Sequence, residues 1–188
     1  GDKHGALLGA IDRTVTGPGA RELAARLASP LRDPRRIAAR LEAVGFLIDQ
    51  TSAREDVRAA LRGAPDIARA ISRLAFGRGG PRDLGAVRDG ISAATQCASL
   101  IGKAAGAIGL PEELQQVATK LKAVDSGLAA QLAGALVDDP PQLKRDGGFV
   151  RAGFRAELDE TLKLRDDSRK VMAALETKYI EITGVRTL

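Results

Sequence analysis

Glycine-rich turns are the first segments of this sequence that could do chemistry, because the backbone N–H groups of such turns can bind a phosphate. They occur at residues 17–19, 77–80 and 147–148. A nucleotide-binding loop has the spacing G-x-x-x-x-G-K-[ST] and follows a strand. None of the three turns has that spacing, and none follows a predicted strand. We interpret them as breaks between helices or as the turn of a hairpin.

Side chains suited to catalysis or metal binding are sparse and far apart. His4 is the only histidine and Cys97 the only cysteine, so neither a zinc ligand set nor a cysteine–histidine nucleophile pair is indicated. Carboxylates such as Asp166 and Asp167 are adjacent, and adjacent side chains on a helix point in different directions. The sequence therefore predicts no catalytic residue, no cofactor site and no metal site in this chain.

The densest basic segment is residues 21–40, which holds six arginines against two acidic residues in a chain of net charge +5. Attraction to phosphates permits a nucleic-acid partner for such a segment. Arg35, Arg36 and Arg40 are the candidates for weak DNA contact. A free-standing helical adaptor or nucleic-acid-binding module that uses this segment is therefore one functional hypothesis.

The elements that must position these residues are almost all helices. Hydrophobic residues make up 44% of the chain and aromatic residues only 3%, so Leu, Ile, Val and Ala must fill a core of packed helices. Thr16 and Asp33 are predicted N-caps, because a proline that suits a first helical turn follows each of them. Apolar spacing predicts a single helix from Leu114 to Leu136. No apolar run reaches the roughly 18 residues needed to span a membrane.

The pattern changes after Leu136. Prolines at 140–141 and a glycine pair at 147–148 predict a small extended or hairpin segment near residues 142–151. A long helix then runs from Phe154 to about Thr183, with Gly184 as its C-terminal stop. The predicted fold class is all-α, with a multi-helix core over residues 1–153 and the long helix within 154–188.

The segment LLGAIDRTVTGPGAREL, residues 7–23, ends one helix and begins another without a long loop. Thr14 and Thr16 are β-branched residues with low helix propensity, and their hydroxyl groups can cap free backbone N–H groups. We expect Asp12 and Arg21 to tie this corner together. The segment is thus predicted to be a corner between helices, with a structural role.

A second polar group falls on one face of the helix that follows residue 66. Asp66, Arg69 and Arg73 share that face by their spacing, which allows either a surface ion pair or a buried arginine network between helices. Both alternatives stay open from the sequence. The residues assigned to the structural motif as a whole are Asp12, Thr14, Thr16, Gly19, Arg21, Pro30, Leu31, Asp66, Arg69 and Arg73.

Several segments, taken in order, resemble the core (lever) domain of the MutS family of bacterial DNA mismatch-repair ATPases. The resemblance covers about residues 6–188, and the pattern I-D-x-T-x-T-x-x-G-x-R-x-L is its most specific part. One departure is that Gly17 stands before Pro18, where the family often has proline directly after the second threonine. The matching segments are LLGAIDRTVTGPGARELAARLASPL, RIAARLEAV, PDIARAISRLAFGRGGPRDL, DDPPQLKRDGGFVRAGFRAELDE and LETKYIEITGVRTL.

The resemblance implies a mechanical role. It implies that this chain is a piece of a larger protein, that residues 154–188 form a lever helix leading toward a DNA clamp, and that the chain itself is not an enzyme. The larger protein would bind ATP and Mg²⁺, mismatched duplex DNA, a MutL-type partner and a second copy of itself. It would be cytoplasmic, which suits a single cysteine. No membrane partner is expected.

A consequence of this assignment concerns the apolar side chains of residues 154–183. In the family the chain returns along the lever after the clamp, so the natural partner helix of this segment would lie outside the present sequence. We expect the apolar face of the segment to be exposed, packed in a foreign way or used for self-association.

Overall fold

Helices account for the regular structure of residues 5–183, the part of the chain that this computed structural model describes. The predicted all-α, multi-helix fold class is confirmed, and the described residues contain no β-strand. His4 and Gly184, which entered the predictions above, lie outside the described residues. The α-helices are α1 (Leu7–Ile11), α2 (Gly17–Ala28), α3 (Pro34–Asp49), α4 (Thr51–Arg62), α5 (Ile67–Ala75), α6 (Pro81–Ala104), α7 (Glu112–Lys122), α8 (Ser126–Ala135) and α9 (Ala156–Thr183).

Side-chain caps set where several helices begin. Thr16 Oγ1 accepts a hydrogen bond from Gly19 N over 3.0 Å at the start of α2. Asp33 Oδ1 accepts one from Arg35 N over 2.9 Å at the start of α3. Both caps satisfy N–H groups that have no partner inside the helix, and the two predictions of N-caps are confirmed.

The single helix predicted from Leu114 to Leu136 is wrong, because the chain breaks into α7 and α8. Asp125 Oδ1 accepts a hydrogen bond from Leu128 N over 3.1 Å and so starts a new helix. Aspartate offers the backbone a local alternative to the helical hydrogen bond. The apolar spacing continues across the break, which is why the pattern alone did not show it.

Helix α6 lies at the centre of the core unit and packs against α4, α5, α7 and α8. Ala70 of α5 and Val87 and Ile91 of α6 are buried together. Leucine and alanine side chains of α8 cover this cluster, with Val124 before it. A Cβ atom at Gly90 of α6 would collide with the side chain of Ile67, so α5 and α6 approach closely at that point.

The segment between α8 and α9 is an extended loop that contains the 3-10 helix Lys144–Asp146. Val137 N donates a hydrogen bond to Phe149 O over 3.0 Å and closes the loop at its base. Of the two forms predicted for this segment, the structure shows the loop and not a hairpin of paired strands.

The chain divides into two compact units, one that ends at Phe149 and one that begins at Val150. The second unit consists mainly of α9, whose first turn is closed by a hydrogen bond of 2.8 Å from Gly153 N to Asp159 Oδ2. Gly153 has a φ of +82°, a conformation that favours glycine. Across the described residues, no helix combines the length and the apolar character needed to cross a bilayer.

Candidate functional site

The corner between α1 and α2 is held by hydrogen bonds among its own residues. Asp12 Oδ1 accepts from Thr14 N over 3.1 Å and from Thr14 Oγ1 over 2.6 Å. A Cβ atom on Gly19 would lie only 2.8 Å from Thr16 Oγ1, so this position requires glycine if the cap is to form. These groups are occupied in shaping the backbone, which makes the corner a structural element.

Asp66 joins the corner to α5. Arg21 Nη2 of α2 donates to Asp66 Oδ2 over 2.7 Å. Asp66 is also the N-cap of α5, since its Oδ1 accepts from Arg69 N over 3.3 Å. The Arg69 side chain lies 3.4 Å from the same carboxylate. The hydrogen bond from Arg21 lowers the pKa of Asp66, although partial burial opposes this effect.

Asp83 plays the corresponding role between α5 and α6. Arg73 Nε donates to Asp83 Oδ1 over 2.9 Å, and Gly80 N donates to Asp83 Oδ2 over 2.9 Å. The bond from Arg73 is the main cause that lowers the pKa of Asp83, against the opposing effect of burial. The same bond raises the pKa of Arg73.

The network combines features of the two alternatives that the sequence left open. Its carboxylates are largely withdrawn from solvent, with 13% of the Asp83 side chain exposed, whereas half of the Arg73 side chain is exposed. The arginines therefore reach from the surface to the half-buried Asp66 and the buried Asp83, which join α2, α5 and α6. Asp83 was not among the residues predicted, although its spacing from Gly80 is that of a helix-capping carboxylate.

Arg88 is a buried cation of α6 that no sequence pattern indicated. It donates to Asp89 Oδ1 over 2.7 Å, and that bond chiefly raises the pKa of its guanidinium. It also donates to Val137 O over 3.0 Å and to Asp138 O over 2.8 Å. Arg88 thereby fixes the beginning of the loop after α8 against α6. No signal in the sequence could have found it, because its distant acceptors are backbone carbonyls.

The candidates for DNA contact lie along a groove of about 300 Å³ between α3 and α7, which Leu31 also lines. Arg35 and Arg36 are exposed on α3. Arg40 faces Glu113 of α7, with 3.5 Å between Arg40 Nε and Glu113 Oε1. That nitrogen is buried and has no hydrogen-bond partner of good geometry among the described residues.

The structure thus separates the three arginines of this groove into two roles. Arg40 lies at the contact of α3 with α7, where an opposite charge compensates it, while Arg35 and Arg36 stay at the surface. Glu112 and Glu113 line the same groove, which reduces its attraction for phosphates. Pro30, at the turn before α3, is exposed.

Metal-binding and nucleophilic groups do not come together within residues 5–183. No group of three or more His, Cys, Asp or Glu residues in that range is arranged to hold a metal ion. Cys97 is buried in α6, and burial raises the pKa of its thiol, which disfavours the reactive thiolate.

A protein-family model described as MutS domain III matches residues 1–182. The match includes the corner at residues 7–23, the network around Asp66 and Asp83, and nearly all of α9. It bears out the resemblance on which the sequence interpretation relied.

Proposed function

The chain belongs to the MutS domain III family, and from that membership we propose that it forms the helical core and lever of a DNA mismatch-repair ATPase. In this role it couples the nucleotide state of an ATPase domain to the grip of a clamp on duplex DNA. The chain itself performs no catalysis. The partners of the longer protein would be mismatched duplex DNA, a MutL-type protein and a second copy of the same protein.

The observation that carries the proposal is helix α9. Its 28 residues run without a break from Ala156 to Thr183, which at 1.5 Å per residue is about 42 Å. An uninterrupted helix transmits a rotation or displacement from one end to the other if packing keeps it stiff. A lever between two distant domains requires an element of this kind.

The exposed side of α9 supports the same role. Met172, Leu175, Tyr179 and Ile182 follow one another at spacings of three and four residues and are all exposed. This spacing is typical of the seam between two helices packed side by side. We propose that a returning segment of the lever packs on it.

Ion pairs between helices keep the core unit rigid. The ion pairs of Arg21 with Asp66 and of Arg73 with Asp83 hold α2, α5 and α6 in fixed relative positions. Coupling requires one element that can adopt two arrangements. The domain around that element has to stay rigid while the element moves. The network supports the assignment of the core unit as that fixed part.

Softening α9 in the longer mismatch-repair protein tests the proposal. The changes Ala173→Gly and Ala174→Gly alter exposed positions and reduce helix stability by about 1 kcal/mol each. We expect ATP hydrolysis and DNA affinity to persist, while ATP-induced release from DNA slows by about 3- to 30-fold, the range of coupling changes in such networks. Stopped-flow fluorescence of labelled DNA measures that rate.

A matched control carries Ala59→Gly on α4 and Ala130→Gly on α8, which are exposed helical positions away from the lever. The control should release DNA at the normal rate. Unchanged release in the α9 variant, or equal slowing in both, would show that α9 does not transmit the signal. Calorimetry of the isolated chain with ATP and Mg²⁺ provides a separate check, since binding there would contradict the proposal that this chain holds no nucleotide site.

A further inference from the structure

A second, larger groove lies within the core unit and is strongly basic. It has a volume of about 1100 Å³ and lies between α5, the glycine-rich turn at residues 77–80, the start of α6 and the loop at residues 142–145. Only two carboxylates, Asp66 and Asp83, line it. Its basic side chains are Arg69, Arg73, Arg78, Arg82, Lys144 and Arg145, and we call this surface the basic groove.

The carboxylates leave most of this positive charge uncompensated. Asp66 is engaged by Arg21 and Arg69, and Asp83 by Arg73. Arg82 approaches Asp139 only to 3.9 Å, and both side chains are well exposed, so that pair contributes little.

Three cations of the basic groove have no local counter-charge. Among the described residues, Arg78, Lys144 and Arg145 have no carboxylate within 4 Å, and their side chains make no hydrogen bond. All three are exposed. They converge on one groove from two segments that are distant in the sequence.

Close packing fixes the positions of these segments. A Cβ atom at Gly80 would collide with the carbonyl oxygen of Gln142, so the loop that carries Lys144 and Arg145 lies directly against the start of α6. Arg88 holds the beginning of the same loop through the carbonyls of Val137 and Asp138. The groove is therefore formed before any ligand binds, which reduces the ordering cost of binding.

We propose that the basic groove binds the sugar–phosphate backbone of duplex DNA. Guanidinium groups donate paired hydrogen bonds that match phosphate oxygens, and five of the six cations are arginines. The proposal goes beyond the coupling function, because it assigns a DNA contact to the core unit itself and does not require α9.

The lining of the groove favours a duplex backbone over other polyanions. No aromatic side chain lines it, so the stacking platform of single-strand binding sites is missing. Its apolar side chains are Pro65, Ala86 and Leu143, and an adjoining apolar pocket of Leu74, Pro81, Leu84 and Phe149 shares the glycine-rich turn and Lys144 with it. The six cations of the groove outnumber its three apolar side chains, so its dominant chemistry suits a polyanion.

Fluorescence anisotropy with a short labelled matched duplex tests the proposal on the intact chain. The test variant carries Arg78→Glu, Lys144→Glu and Arg145→Glu, which leaves the ion pairs of Arg69 and Arg73 intact. The control variant carries Arg32→Glu, Arg35→Glu and Arg36→Glu on exposed positions before and on α3. The two variants have the same net charge, so a difference between them reports the location of the site.

We expect the wild-type chain to bind at about 50 mM salt and to lose affinity steeply toward about 200 mM. The test variant should bind at least tenfold more weakly than the control variant at about 50 mM salt. Its neutral version, with three alanines, should lower the slope of log K against log salt by about 3, since each phosphate contact contributes about 1. Circular dichroism of each variant establishes that it is folded. If the glutamate variant does not fold, the binding comparison is made with the alanine variant.

Three results would overturn the proposal. The first is that the wild-type chain does not bind the duplex at about 50 mM salt. The second is that the test and control variants lose the same amount of affinity for the duplex. The third is that the wild-type chain binds polyglutamate of matched charge as tightly as it binds the duplex, which would assign the groove to an acidic protein segment. None of these results bears on the α9 experiment, so failure of this proposal and failure of the coupling function are distinguishable.

Discussion

Arg73 Nε donates a hydrogen bond to Asp83 Oδ1 over 2.9 Å, and this contact joins the last turn of α5 to the first turn of α6. The same carboxylate accepts from Gly80 N and so begins α6. One side chain therefore caps a helix and fixes its neighbour. The relationship makes the stability of the core unit dependent on the charge of Asp83.

Replacement of Asp83 by asparagine should lower the free energy of unfolding at pH 7 by about 1–2 kcal/mol. This is the lower part of the range for hydrogen bonds to charged groups, because half of the Arg73 side chain is exposed. Urea denaturation monitored by circular dichroism measures the change. Asp56→Asn on the exposed face of α4 is the control and should have almost no effect.

The destabilisation caused by Asp83→Asn should depend on pH. The pKa of Asp83 is lower in the folded chain than in the unfolded chain, so its contribution is complete above the unfolded value of about 3.9. The contribution is lost as pH falls through the lower, folded pKa. The stability difference between wild type and Asp83→Asn should therefore shrink in acid, and a difference that grew in acid would contradict the assigned ion pair.

Thr16→Ala should destabilise the chain by about 1 kcal/mol, because the α2 N-cap loses its only side-chain acceptor for Gly19 N. Thr16→Ser keeps the hydroxyl and should restore most of the loss. Thermal unfolding of the two variants in parallel measures the cap directly. Equal destabilisation by both substitutions would mean that the threonine methyl group, and not its hydroxyl, is what matters at this corner.

Two glycines of α6 should respond to alanine in opposite directions. A Cβ atom at Gly90 would meet the β-branched side chain of Ile67, which has little rotameric freedom, so Gly90→Ala should destabilise by about 1–3 kcal/mol. Gly102 has open space around the same position, and Gly102→Ala should stabilise by about 0.5–1 kcal/mol through helix propensity. The denaturant midpoints of both variants test whether α5 and α6 approach closely at Gly90. If both substitutions stabilised the chain, the close approach would be refuted.

The features that could be predicted from the sequence are local ones. Thr16 and Asp33 act on N–H groups two or three residues away, so the short-range pattern that marks a cap was sufficient. The break before α8 is also local, but Asp125 lies within an apolar spacing that continues on both sides of it. At Asp125 the helical periodicity was the stronger signal, so the N-cap of α8 was not predicted.

The candidate site depends on distance in space, which the sequence does not display. Residues 21–40 are the densest basic segment along the chain, yet Arg40 of that segment faces Glu113 of α7. The cations of the basic groove instead come from α5, from the following turn, from the start of α6 and from the loop after α8. Only the packing of these elements reveals that Arg78 and Arg145 belong to one surface.

The central position of α6 has a consequence for how the core unit folds. Its packing partners α4, α5, α7 and α8 are the two helices that precede it and the two that follow it. Each of these contacts joins helices that are at most two elements apart, and the entropy lost on closing the intervening loop grows only slowly with its length. Contacts between helices that lie near one another in the chain are typical of helical domains, which fold faster than domains dominated by distant strand pairing. The order of helices along the chain thus lets the core unit assemble around α6 from helices that are its neighbours in the sequence.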